Sequence, residues 1–479
     1  MRSFALLLCT LFTAPLWAQS AIAPTARLDA ATVPQPEGWA DDLALTIPED
    51  LNPDPNILEI NLEAVIRDME IMPGKLTPVW TYNGVLPGPL IKVKVGDRVI
   101  VHFKNSLPED TSIHWHGLRI SNDMDGVPGF TMDPVRPQEE FTYDFVVPDA
   151  GTFWYHPHVD NSAAQMGWGL YGPLIVEDPN EPQGLGDELI LVFSDMSLNP
   201  DGQFEPADSG GSAGNLFGRE GTVLLVNGKV QPTLKVRQGK PQRWRIINAT
   251  RSRYYTLRYK RAPLVKLGGD GGLAARPETV DEIKLVPSER LDLVFTPPDA
   301  PGTLSPFRWY ATNRGYGSTY YRVPEDILLI QTVDAPPVQA APVPAVLRQI
   351  EPIDLSHATE REINLTIAFD RNKKVVMGIN GIPNERAVPV MVKVGDTEIW
   401  TIRNDTDFSH PFHMHGYFFQ VLDDERIPQW KDSVDVPFKS SLRIAVHFDG
   451  RPGMWMYHCH ILDHAEAGMM GHIHVMPAD

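Results

Sequence analysis

At 479 residues the chain is roughly two to four times an ordinary domain, so two or three hydrophobic cores are expected rather than one. Apolar residues make up 42% and charged residues 22%, a globular balance that excludes a disordered, collagenous or coiled-coil chain. Asp plus Glu outnumber Lys plus Arg by 61 to 42, and the resulting net charge of -19 excludes nucleic acid as a partner.

Residues 1–20 read as an export signal: Arg2 gives a basic start, residues 4–16 an apolar run too short to span a bilayer, and Ala18-Gln19-Ser20 a small-residue cleavage site. Cys9 leaves with that segment, and Leu8 before it is not the small residue a lipid anchor requires. No later run is long enough to span, so the expectation is an exported monomer without a membrane span, periplasmic or extracellular. Cys459 then remains as a single cysteine without a disulfide partner.

Residues 21–44 read as an Ala/Pro-rich arm and residues 335–350 as a Pro/Ala linker. Between dense turn signals, 37 Gly and 44 Pro, run short alternating segments at 90–103, 234–247 and 390–402. Long stretches of helical period are scarce, so the fold class is all-β, made of many short antiparallel strands in sandwiches or barrels.

Three segments share one frame. Asn83-Gly84, Asn227-Gly228 and Asn380-Gly381 are followed by Gly96, Gly239 and Gly395, and each of those glycines precedes an asparagine (Asn105, Asn248, Asn404) by nine residues. Nine further residues reach His114, Leu257 and His413. The first and third repeats therefore place His-x-His at matched positions, His114/His116 and His413/His415, and the middle repeat has none. A second match follows, with Gly151 five residues before His156-Pro157-His158 and Gly453 five before His458-Cys459-His460. The repeats imply three β-domains, about 45–180, 181–340 and 350–479, with metal chemistry on the outer two. The two patches become one site only where the first and third domains face each other, with the second as spacer.

Random placement of 15 histidines would give about half of one His-x-His, whereas five occur and four lie in register between repeats. In a strand, residues i and i+2 share a face, so each pair offers two imidazoles to one point. Imidazoles with a thiolate suit copper or zinc. His410, three before His413, joins His464 and Met469, five and ten after Cys459. One Cys, two His and a distant Met form a blue-copper set, and zinc has no use for the thioether.

His114-Trp115-His116-Gly117, His156-Pro157-His158, His410-Pro411-Phe412-His413-Met414-His415, and His458-Cys459-His460 with His464 and Met469 resemble the four copper motifs of the multicopper oxidases, in particular the three-domain bacterial laccase-like enzymes. The resemblance implies three cupredoxin-like Greek-key domains and four copper ions. A type 1 copper would take His410, Cys459, His464 and axial Met469. The type 2 copper would take His114 and His413; one type 3 copper His116, His156 and His460; the other His158, His415 and His458. It implies one-electron oxidation of a small-molecule donor, a phenol or aromatic amine, coupled to reduction of dioxygen to water, with His464 at the donor pocket as the electron entry. With Met469 as the axial residue, the type 1 potential is expected below that of the strongest fungal laccases. The alternative is a periplasmic cuprous oxidase in copper tolerance, favoured by Pro157 and disfavoured by the lack of a Met-rich insertion.

Asp125 matches the acidic residue that related oxidases place beside the type 2 and type 3 coppers for proton supply; the plain alternative is a turn aspartate before Gly126. Several bacterial relatives have Glu directly after the second type 1 histidine, where this chain has Ala465 and then Glu466. By resemblance Glu220 could edge the donor pocket, but the match to the family slips at this position, and the favoured alternative is a residue without that role. His102, His357 and His447 are isolated and read as surface or satisfied residues. His472/His474 lack a counterpart in the first repeat and read as a strand face, with an auxiliary copper site as the alternative. Met414, Met454, Met456 and Met470 read as packing, with a cuprous route as the alternative.

Overall fold

The computed structural model describes residues 35–315, 322–372, 375–422 and 427–478; residues 1–20 with Cys9, read above as an export signal, and residues 21–34 of the arm lie outside them. The strands form six sheets that fall in pairs along the chain. In the first repeat, Lys75–Tyr82, Ile57–Met72, Arg98–Asn105 and Glu140–Val146 lie side by side in one sheet. Ile91–Lys94, Gly172–Glu177, Gly151–His156 and His114–His116 form the other. The third repeat follows the same order: Val375–Ile379, Thr359–Phe369, Thr397–Asn404, Ser440–His447 and Phe419–Val421 in one sheet, then Val390–Lys393, Met470–Met476, Gly453–Cys459, His410–Met414 and Ser433–Val436 in the other. The antiparallel expectation needs one amendment. Each sheet also contains a parallel pair, such as Ile57–Met72 with Arg98–Asn105 and Val390–Lys393 with Met470–Met476, which is how the chain crosses between the two sheets of a Greek-key sandwich.

The residues that defined the repeat build the same joints three times. Asn83-Gly84, Asn227-Gly228 and Asn380-Gly381 all have positive φ at both positions, as a two-residue turn matched to strand twist requires. Asn105, Asn248 and Asn404 are buried and staple the loop that leaves their strand. Their side-chain amides donate to Val135, Leu285 and Val436 carbonyls, and their side-chain oxygens accept from the backbone N–H two residues on, of Leu107, Thr250 and Thr406. Loops fixed in this way launch the strands that begin at His114 and His410.

Each repeat has its own core around tryptophans: Trp115 with Phe103 and Tyr143, Trp244 with Phe295 and Phe307, Trp400 and Trp455 with Phe412 and Tyr457. Trp154, Ile247 and Leu462, one from each repeat, share a smaller buried cluster at their junction. No helix among the described residues is long and apolar enough to cross a membrane.

Candidate metal centre

Cys459 ends the strand Gly453–Cys459, paired with His410–Met414 so that Cys459 lies opposite Phe412. A short helix, α1 (Leu462–Glu466), follows and turns His464 back toward it. Nδ1 of His410 and Nδ1 of His464 are 3.1 Å apart, and lie 3.5 and 3.6 Å from Sγ of Cys459. A point equidistant from three atoms so spaced is about 2.0 Å from each, the length of a first-row metal–ligand bond. The backbone N–H of Met469 donates to the His464 carbonyl, and that of Cys459 to the Met469 carbonyl, which ties the thioether residue to the group. All four residues are buried. Burial pushes the Cys459 thiol up and pulls His410 down to about 3, so a thiolate here needs a cation beside it and the imidazoles are free of protons that would compete with one.

The eight histidines of the in-register pairs converge elsewhere. His114 lies opposite His156 in one sheet and His413 opposite His458 in another. Across the repeats, His116 stacks on His413 with ring centroids 3.9 Å apart, and His114 on His415 at 4.0 Å. Nε2 of His415 is 3.2 Å from Nε2 of His458, Nε2 of His156 is 3.4 Å from Nδ1 of His116, and the His460 ring lies 5.1 Å from that of His116. The outward nitrogens are occupied: Nδ1 of His114, His413, His156 and His458 donate to the carbonyls of Asp125, Asp432, Pro157 and Cys459. The inward ones are bare, since Nε2 of His114, Nε2 of His413 and both nitrogens of His460 are buried without a hydrogen-bond partner. Burial, reinforced by neighbouring imidazoles, holds His116, His156, His415, His458 and His460 well below the usual histidine range. Neutral, fixed and unpaired nitrogens facing one volume fit metal ligands.

Two carboxylates brace the rings. Asp125 accepts from Nδ1 of His415 at 2.9 Å and lies 3.3 Å from Nδ1 of His114. Asp432 lies 3.4 Å from Nε2 of His116 and 3.5 Å from Nδ1 of His413. Each aspartate thus offers its carbonyl to a histidine of its own repeat and its carboxylate to one of the other. Burial pushes both carboxyls up, but His415 and His114 outweigh it at Asp125, and Arg290 outweighs it at Asp432, so both are held well below the carboxylate range.

The multicopper oxidase family models match residues 66–181, 187–313 and 354–479. A multicopper oxidase of Mycobacterium tuberculosis is 30% identical over 94% of this chain and 90% of its own. The chain belongs to the multicopper oxidase family. The laccase of Bacillus subtilis is 28% identical over 89% of this chain and 96% of that protein. The solved structure of a Campylobacter jejuni multicopper oxidase, titled a metallo-oxidase, superposes with a TM-score of 0.82 at 28% identity, covering 95% of this chain and 98% of that one. The cofactor of the oxidase is copper.

Asp432 and Arg290 escaped the sequence reading. Asp125 follows His114 by eleven residues and Asp432 follows His413 by nineteen, because the third repeat inserts Phe419–Val421 and its loops between them. Arg290 comes from the middle repeat, which is therefore more than a spacer. Its Nη1 donates to Asp432 at 2.8 Å and its Nε to the Thr152 carbonyl, so one buried guanidinium joins all three repeats.

Both residues read at the donor pocket are enclosed by protein groups. His464 does not present an open edge: its Nε2 donates to the Leu216 carbonyl at 3.1 Å, beneath a second short helix (Gly211–Phe217) of the middle repeat. Arg219 clamps that helix to Asp463, next to His464. Glu220 does not edge a pocket, because Arg253, Arg314 and Arg322 surround its buried carboxylate. Glu466, by contrast, lines a cavity of about 760 Å³ that reaches His156, His158 and His458. His102 is half-buried and bonded to Glu59, and His447 is exposed and bonded to Thr397.

Proposed function

We propose that the oxidase is laccase-type, oxidising phenols, aromatic amines or similar donors one electron at a time. His410, Cys459, His464 and Met469 would hold a type 1 copper; His114 and His413 a type 2; His116, His156 and His460 one type 3; and His158, His415 and His458 the other. When bound, the coppers supply the redox chemistry that collects single electrons and reduces dioxygen to water. Cys459 supplies the wiring, being bonded through the backbone to His458 on one side and His460 on the other, one in each type 3 set. Asp125 and Asp432 keep the imidazoles aimed, and Asp125 is the nearest carboxyl for moving protons to the cluster. In this reading three cupredoxin-like units span 45–180, 181–340 and 350–479, and residues 1–20 direct export.

The observation that carries the donor class is a cleft of about 430 Å³ against the Cys459 centre. Leu216, Leu365, Ile367 and Phe408 give it apolar walls, Asp405 and Asp407 add carboxylates at the lining, and Thr406, also in the lining, is 2.9 Å from the outward Nε2 of His410. Its apolar walls suit an aromatic ring, and none of its lining residues is a methionine that would offer a soft ligand to a cuprous ion. Electrons would enter through His410 and Thr406, or through Leu216 to His464.

The helix over His464 favours a second reading, a cuprous oxidase, since it denies a bulky donor direct contact with that ring. Steady-state oxidation of a phenol and of Cu(I), each with and without added Cu(II), tests the choice. The expected result is phenol turnover without added Cu(II). Phenol turnover that vanishes without extra copper, beside rapid Cu(I) oxidation, would replace the first reading with the second.

A further inference from the structure

The sheet that carries Cys459 has two faces. Trp455, Tyr457, Met469, Ile473 and Val475 enter the core of the third repeat from one of them. Residues of opposite parity stand on the other face: Met454 and Met456 of Gly453–Cys459, and His472 and His474 of Met470–Met476. The antiparallel register places Met454 opposite His474 and Met456 opposite His472. Directly opposed residues have Cβ atoms about 5 Å apart, so the four side chains rise side by side from neighbouring positions on one face. On the far side of His474 its parallel neighbour is Met391, which is exposed.

The repeat provides an internal control. In the first repeat, Gly151–His156 and Gly172–Glu177 pair in the same register. Its core-facing pairs, Phe153/Leu174 and Tyr155/Gly172, correspond in kind to Trp455/Ile473 and Tyr457/Gly471. The positions that match Met454/His474 and Met456/His472 hold Thr152/Ile175 and Trp154/Pro173, and the position of Met391 holds Lys92. The scaffold therefore does not require soft ligands there, and the third repeat alone has them.

His472 is 9% exposed, and its Nδ1 is buried without a hydrogen-bond partner. The Phe130 ring, 5.3 Å from the imidazole, screens it from one side. Burial pulls His472 below the usual histidine range, which leaves a neutral ring able to donate a lone pair. Phe130, Met456 and Met470 also line the cavity that reaches His458. A donor set of thioethers and neutral imidazoles selects monovalent copper over zinc, magnesium or calcium.

We propose that His472, His474, Met454 and Met456 form a further binding site for a cuprous ion, distinct from the four-copper constellation and beside the cavity that leads to it. The site does not depend on which donor the enzyme oxidises.

Silver(I), a redox-inert ion of the same softness, is the probe. Copper-loaded holoenzyme is titrated with Ag(I) against a competing chelator, with bound silver measured after dialysis and the blue absorption monitored as a report on the fold and on the Cys459 centre. Wild-type protein is expected to hold one silver per chain, and Zn(II) not to compete. Met454→Leu/Met456→Leu, which preserves volume, is expected to weaken silver binding by roughly tenfold or more. The pair Met454→Thr/His474→Ile, which installs the residues of the first repeat, is expected to lose it. A wild-type holoenzyme that retains no silver, or variants that keep their blue colour and bind silver as tightly as wild type, would overturn the proposal.

Discussion

Replacing Asp125 separates two jobs that its carboxylate is placed to do. It accepts from Nδ1 of His415 at 2.9 Å in a fully buried setting, and Asp125→Ala leaves that N–H without an acceptor. A lost hydrogen bond to a charged group costs about 1.5–3 kcal/mol, which at about 1.4 kcal/mol per tenfold is a 10- to 100-fold loss in the hold on the copper bound by His415. The assay is a chelator series on fully loaded protein followed by metal analysis. Asp125→Ala should release copper from the histidine cluster at about 10- to 100-fold lower chelator, with the blue absorption of the Cys459 centre retained. Asp125→Asn keeps an acceptor for His415 and removes the carboxylate that can relay a proton. It should hold copper near the wild-type level and be reduced at the donor end at the wild-type rate, while reoxidation by dioxygen slows by up to the about 10²- to 10⁴-fold that a positioned proton-transfer group contributes. Wild-type copper retention in the Ala variant would refute the bracing of His415, and unchanged reoxidation in the Asn variant would refute the proton role.

Metal analysis of loaded protein should give about four coppers per chain and a thiolate-to-copper band near the red end of the visible range; Cys459→Ser should lose that band and turnover while the eight histidines of the cluster keep the remaining copper. Arg290→Met leaves the buried Asp432 carboxylate uncompensated, with an expected loss of about 3–5 kcal/mol from the denaturant midpoint, partly restored by adding Asp432→Asn; a loss below about 0.5 kcal/mol would show the pair to be idle. Glu466 is pushed up to about 7 by desolvation along the cavity, from an ordinary 4.5. Its proton is held longer in the folded state, so wild-type stability relative to Glu466→Gln should fall as pH rises from about 4.5 through about 7 and stay level above, read as the difference in Tm across pH.

The convergence of the histidines was legible in the sequence because residues two apart in a strand share a face, and because duplication supplied a second copy to check it. His114/His116 and His413/His415 emerged from counting, and so did the need for the outer repeats to meet. The three asparagines read as frame markers proved to be the staples that make the frame. Asp432 stayed hidden behind a length difference between repeats, and Arg290 behind its location in a repeat without ligands; both act through burial and charge, which spacing does not encode. The helix over His464 was invisible for a related reason. Its residues, Gly211–Phe217, carry no chemistry of their own, and only their placement turns the Leu216 carbonyl into a partner for a ligand.

The contact between Asp125 and His415 spans 290 residues, and the cluster is completed by His458 and His460 close to the end of the chain. During synthesis the first His-x-His pairs emerge long before their counterparts exist, and they offer four of the eight histidines of the cluster. A chain that stops short of the third repeat lacks the other four histidines and the thiolate. Full occupancy of the proposed constellation would therefore report that the last strands have been made and docked.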